Sequence, residues 1–502
     1  MRKILRRRRF LLAGTGLVGA SLLAACGQTA APTAAPAKPG TTAATPASAA
    51  PSPQAGAQAP AATKPAAPTQ PAAAATTKPA EPTAAPAAAK PATAGATKSM
   101  RFSSYTWSGY EDAMKTVMDM WRQENPGVEV KNEFVGEDYW TKLQTQIGAG
   151  TPPDVGIGEF VRVVSFSKGG VLMELDDLIA RDKVPLDQHF SASVAQYRWQ
   201  NGEFDSGGKG GKLYGLPSDG QGHIFVFNKK MFDEAGVKYP TDDWNWNDVV
   251  EAAKKMTKPD QNKWGAYVPG LGVLNRGNFL YAAGGELISP DFKKSGLDMP
   301  ETIDAYKWAW DLIYTHKVAP KPLPKEPANP FASGRVGMYF DGVWWIADFI
   351  EIKDFEWDVA QFPKHPKTGK RTTSLEADGW WAFKAAKDRD LAWSLTKFLA
   401  SEKAQRKFGE LEFVVPSSIP EVAKDWYAKK PPASRAKALE NVQKDSRKVA
   451  RTFFDVAKIE GAFTPLLQKA FFDGQDISAT MKEAAKVMNE ELAKAWQRFQ
   501  QP

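Results

Sequence analysis

From about residue 99 to its end the chain reads as an α/β protein, on three observations. Some segments repeat apolar residues with a helical period, others alternate them with period two, and the two kinds of segment follow one another along the chain. At roughly 400 residues this part is also long enough to form more than one domain.

Taken in order, Met100–Thr106 opens the body as a strand. Glu111–Glu124 follows as a helix, with Met114, Val117, Met118 and Trp121 on one face, and Asn125-Pro126-Gly127 stops it. Val128, Val130 and Phe134 then alternate with Glu129, Lys131 and Glu133, the mark of a half-buried strand. Trp140, Leu143 and Ile147 sit three and four apart and predict a second helix, and Asp154–Ile157 is short and strand-like. This β-α-β-α-β order is that of an α/β lobe. Further helices are marked by Leu391, Leu395, Phe398 and Leu399, and by Ile477, Met481, Met488, Leu492 and Trp496. No repeat with the period of a solenoid or propeller is present.

What precedes the body has a different composition. Arg2, Lys3 and Arg6 to Arg9 are basic, and the apolar run from Phe10 to Ala25 is too short to span a bilayer but suits the core of an export signal over residues 1–25. The run ends in Leu23-Ala24-Ala25-Cys26, which resembles the lipobox of bacterial lipoproteins and implies cleavage before a lipidated Cys26. Cys26 is the only cysteine, so no intrachain disulfide or cysteine-held metal is expected. Arg7-Arg8-Arg9-Phe10-Leu11 resembles a twin-arginine signal, and a plain Sec signal stays open beside it. Gly14-x-Gly16-x-x-Gly19 matches the dinucleotide-binding spacing, but inside such a signal it has no strand and helix to work between. Residues 26–98 hold 14 of the 37 prolines among Ala, Thr, Ser, Gln and Gly, with no aromatic residue, and are expected to form a disordered tether.

Charge depends on the segment. The net charge of +8 could suggest nucleic acid. The leader and tether together hold 11 of the 65 basic residues and one of the 57 acidic ones, so the body has 54 against 56. Without a basic footprint, nucleic acid is not expected as a partner.

Six segments of the body, in order, carry a resemblance. They are FSSYTWSGYEDAMKTVMDMWRQENPGVEV, YWTKLQTQIGAGTPPDVGIGEF, KLYGLPSDGQGHIFVFNKKMFDEAGV, WNWNDVVEAAKKMT, FASGRVGMYFDGVWWIADF and DLAWSLTKFLASEKAQ. Together they resemble the extracellular solute-binding proteins of ABC importers, in the sugar-binding family that includes maltose-binding protein; Phe227 stands where the family often has tyrosine. The resemblance implies a periplasmic-binding-protein-like α/β fold, with two discontinuous lobes, a hinge and an interlobe ligand cleft. The lobes are expected at 99–221 plus 362–408 and at 222–361 plus 409–502. It further implies a lipid-anchored monomer outside the cytoplasmic membrane that passes a small solute, a sugar or oligosaccharide, to ABC permease subunits, with no cofactor.

A sugar site needs aromatic plates for the C–H faces and polar groups for the hydroxyls, because buried hydroxyls left without partners are costly. Asp341-Gly342-Val343-Trp344-Trp345 and Asp378-Gly379-Trp380-Trp381 offer that combination twice. In extended chain one tryptophan of each pair would face the cleft and the other the core. By the family segment Trp344 takes the stacking position, with Trp380 as its counterpart and Asp341 and Asp378 beside them; the competing reading is that both pairs only fill the core. Gln221 lies where the resemblance places an acidic sugar contact, with Asp219 in reach. Trp107 and Glu159 follow strand ends, where α/β proteins bind ligands. Asn275, Arg276 and Asn278 form a further polar group.

The rivals are a secreted hydrolase and a receptor that serves a sensor. No HExxH or GxSxG motif is present and the histidines are only His189, His223, His316 and His365, although a pair of carboxylates could still hydrolyse a glycoside without leaving a motif. Asp260 to Gly265 begins like a calcium-binding loop, but its twelfth position is Leu271, so no metal is expected.

Overall fold

A computed structural model describes residues 98–106, 109–136, 138–206, 210–268, 277–322, 328–411, 415–448 and 453–501. The leader, Cys26, the tether up to residue 97, Trp107, Asn275 and Arg276 lie outside the described residues.

Strands run in chain order at Lys98–Tyr105 (β1), Val128–Val135 (β2), Val155–Gly158 (β3), Arg198–Trp199 (β4), Lys212–Leu213 (β5), Leu216–Pro217 (β6), Gln221–Asn228 (β7), Trp264–Tyr267 (β8), Val336–Gly342 (β9), Trp357–Ala360 (β10), Thr373–Glu376 (β11), Gly379–Ala382 (β12) and Ser446–Lys448 (β13). They make two main sheets. The first has the order β2-β1-β3-β12-β6, with β1 parallel to β2 and β3, and β12 antiparallel. The second has the order β13-β11-β7-β9-β8, with β10 also paired to β7. β4 and β5 form a separate ribbon.

The opening β-α-β-α-β segment folds as its periodicity predicts. The first helix spans Tyr110–Glu124 and buries Met114, Val117, Met118 and Trp121, the stripe seen in the sequence, together with Tyr110 and Ala113. Its entry needs a left-handed residue, which Gly109 supplies at φ 81°. The second helix spans Tyr139–Gly148.

β7 is the spine of the second sheet, and all eight of its residues are buried. Phe225 and Phe227 join the main core on one face, and Ile224 and Val226 join a smaller cluster on the other. Such two-sided burial, worth about 1.5–3 kcal/mol per large apolar side chain, accounts for a continuous apolar run without alternation.

The chain passes between the sheets from β6 to β7, over 217–221, and from β11 to β12, over 376–379. These crossings are tied together. Ser218 N donates to Asp378 O at 2.7 Å and Asp378 N donates to Asp219 Oδ1 at 2.9 Å. A third segment lies alongside: Gly220 N donates to Pro416 O at 2.9 Å, and Asp219 and Ser417 form a β-bridge.

One boundary differs from the expected division, which kept 362–408 together with the first lobe. β11 pairs with β7 at Leu375 with Gly222 and Glu376 with Gln221, so residues 373–376 belong to the second sheet. The C-terminal helices Val456–Asp473 and Ile477–Gln500 also touch both sides: Trp310 Nε1 donates to Ala470 O at 3.1 Å, and Phe204 stacks on Trp496 at 4.1 Å.

Candidate binding cleft

Where the crossings meet, a cavity of about 720 Å³ opens between the sheets. One wall comes from the first sheet and its helices: Tyr105 at the end of β1, Ile157 of β3, Trp380 of β12, and Gln405 and Phe408 of the helix Glu402–Glu410. The other is built just after β9, by Trp344, Trp345, Asp348 and Glu351. Ser218, Asp219, Gln221, Asp378 and Ser417 come from the crossings or lie next to them. The cavity thus lies at strand ends, where α/β sheets present binding groups.

Five of the sequence-predicted site residues line this cavity: Asp219, Gln221, Trp344, Asp378 and Trp380. Trp380 belongs largely to the core as well, 2 % exposed and stacked on Phe408 at 6.0 Å. Its neighbour Trp381 points the other way, onto Phe166 and Trp140, as strand alternation requires. The first tryptophan pair departs from that expectation. Val343–Trp345 is a 3₁₀ turn, whose residues are not thrown to opposite faces as in a strand, so Trp344 and Trp345 are both half-buried and both line the cavity. Trp344 lies flat over Gly342, where a Cβ would come within 2.0 Å of its ring, and its edge contacts the buried His223 at 5.4 Å.

Two predicted contacts are not on the wall. Asp341 is buried with both oxygens engaged: Oδ2 accepts from Tyr339 Oη and Trp345 Nε1 at 2.8 Å each, and Oδ1 from Gly342 N at 2.8 Å. It braces the tryptophan turn from behind. Glu159 accepts from Trp140 Nε1 at 3.2 Å and from Arg162 Nε at 2.9 Å, outside the cavity. Asn278 is buried against His223 and donates no group to the cavity; its Oδ1 accepts from Ser374 N at 2.7 Å.

The crossings carry an uncommon charge arrangement. Asp219 is 4 % exposed; its Oδ2 accepts from Ser218 Oγ at 2.8 Å, and burial pushes its carboxyl up to about 7. Burial and the charges of Asp219 and Glu159 likewise hold the Asp378 carboxyl well above the usual range, although Tyr105 Oη donates to its Oδ2. The pair therefore keeps protons more tightly than ordinary carboxylates do. Among the described residues no three His, Cys, Asp or Glu side chains converge as a metal site.

Sequence reasoning missed Tyr105, Trp345, Asp348, Glu351, Gln405, Phe408 and Ser417 as wall residues. The strand-end rule that selected Trp107 would equally have selected Tyr105. Gln405 and Phe408 sit on a helix whose pattern gives no sign that it faces a cavity.

The model of the family described as bacterial extracellular solute-binding protein matches residues 106–406. A binding protein of Brucella abortus (strain 2308) is 27% identical over 335 residues, 65% of this chain and 76% of that one. An arabinooligosaccharide-binding protein of Halalkalibacterium halodurans is 24% identical over 332 residues, 61% of this chain and 68% of that one. Among solved structures, an ABC substrate-binding protein from Listeria monocytogenes in complex with cycloalternan superposes with a TM-score of 0.70 at 23% identity, over 79% of this chain and 99% of that one.

Proposed function

Since this chain belongs to the bacterial extracellular solute-binding proteins and has their two-lobed α/β fold, we propose that it captures a saccharide in the cleft between its sheets and delivers it to an ABC importer. The observation that carries this reading is the wall itself. Trp344 and Trp345 line the same cavity as Gln221, Asp219 and Asp378, the combination of aromatic plates and hydroxyl partners that a sugar needs. That relatives are named for oligosaccharides supports the same class. Ligand contacts are assigned to Trp344, Trp380, Asp219, Gln221 and Asp378, and closure of the lobes about the three tied crossings would enclose the sugar. Export and lipid attachment at Cys26 rest on the leader's sequence alone; no helix among the described residues is long and apolar enough to cross a membrane.

The protein acts as a receptor in this reading, without chemistry on its ligand. The adjacent carboxyls of Asp219 and Asp378 would also suit a glycoside hydrolase, so the test must recover the ligand. The purified full chain is screened by thermal shift against mono- and oligosaccharides. A ligand at 100 times its dissociation constant adds about 2.7 kcal/mol to stability, a readable shift. A saccharide hit recovered intact supports the proposal. A cleaved product, or no shift with any saccharide, refutes it.

A further inference from the structure

The charge of the cavity wall narrows the ligand further. Asp219, Asp348, Glu351 and Asp378 supply four carboxyl groups, and the described lining residues include no lysine, arginine or histidine. Burial is the leading cause that raises the carboxyls of Asp219, Asp348 and Asp378. Hydrogen-bond capacity also remains. The Asp219 carboxyl accepts from Asp378 N, Ser218 Oγ and the Gln221 side chain, and a carboxylate offers about four acceptor sites, so one remains. Tyr105 occupies Oδ2 of Asp378 and leaves Oδ1 for a ligand.

Resting on the saccharide reading above, we propose that this cleft selects a saccharide with a free amino group, whose ammonium is held by the Asp219–Asp378 pair while Trp344 and Trp345 cover the sugar's apolar face. An ammonium has three donors and no acceptor, so it satisfies two carboxylates at once. With a neutral sugar the pair keeps its protons, whereas an ammonium supplies the counter-charge that lets the carboxyls ionise, so the amine gains an ion pair that the neutral sugar lacks. An acidic sugar would meet four carboxyls and no cation, which excludes it by repulsion. The aromatic rings add to the preference, since a ring face attracts a cation.

The test titrates the purified full chain calorimetrically with matched disaccharides: chitobiose with free amines, its N-acetylated twin, cellobiose and cellobiouronic acid, plus the galactosamine and galactose equivalents and spermidine. The expected result is that the free-amine member of a series binds at least about tenfold tighter than its acetylated and neutral twins, with no binding of the acid. Asp378→Asn should shrink that ratio to about threefold or less. Asp219→Asn, whose amide can keep the bonds to Asp378 N and Ser218 Oγ, provides a second variant if the first does not fold. Equal or tighter binding of a neutral sugar overturns this inference and leaves the saccharide reading standing. Binding of spermidine alone, or of nothing in the panel, overturns both.

Discussion

Asparagine in place of Asp219 should stabilise the ligand-free protein at neutral pH while weakening its binding. In the folded chain the Asp219 carboxyl is raised from 3.8 to about 7. Its folded value lies above its unfolded one, so its contribution to stability is fully present below about pH 4 and is lost as pH rises through about 7. Holding the buried charge above pH 7 therefore costs about 4 kcal/mol. Asparagine is close in shape and never ionises. Its Oδ1 can still accept from Asp378 N, now 2.9 Å from Asp219 Oδ1, and the Ser218 hydroxyl can turn to accept from Nδ2. Asp378 feels the Asp219 charge, so removing it also eases ionisation there. The pair shares the cost, and a gain of about 2–4 kcal/mol at pH 8 is expected, falling to about 1 kcal/mol or less at pH 4.5. Urea unfolding of both proteins at the two pH values measures it. A variant whose difference from the parent does not change with pH would refute the argument from burial.

Three further outcomes follow from the same geometry. Trp344→Ala should weaken saccharide binding by about 2–4 kcal/mol while unfolding stays cooperative, as titration and thermal melts of the variant would show. Gly342→Ala tests the placement of that ring: Gly342 has an ordinary φ of −83°, so the backbone tolerates alanine, but the new methyl would lie 2.0–2.2 Å from Trp344 ring atoms. The half-buried ring must swing aside, and affinity should fall at least about tenfold with stability changed by less than about 1 kcal/mol. Phe225→Ala, in the fully buried β7, should cost about 3–5 kcal/mol of stability in urea unfolding, since it empties a site packed against Phe340 at 4.6 Å.

The local elements were readable because their cause is local. The stripe Met114, Val117, Met118 and Trp121 predicts a helix whatever packs on it, and the alternation over 128–134 predicts a strand with one wet face. The Trp380–Trp381 pair could be resolved for the same reason: it lies in a strand, and strands send neighbours to opposite faces. The same rule failed at Trp344–Trp345 because the chain turns into a 3₁₀ segment there. Asp341 was chosen for its place beside a tryptophan, yet its two oxygens are taken up by Tyr339, Trp345 and Gly342. A side chain's spare hydrogen-bonding capacity cannot be read from its neighbours in sequence.

From its sequence alone the chain shows an α/β body without a basic footprint, preceded by a leader and a proline-rich segment, and its ordered motifs point to a solute-binding architecture. Those properties depend on periodicity and composition, which contacts at short range decide. Which residues share the cleft is a different matter. Tyr105, Asp219, Trp344, Asp378 and Phe408 come from five separate stretches and meet only because β1, β9, β12, the crossings and one helix converge. The raised carboxyls of Asp219 and Asp378 likewise exist only in the fold. Burial and neighbouring carboxylate charges, not the residues themselves, put them there.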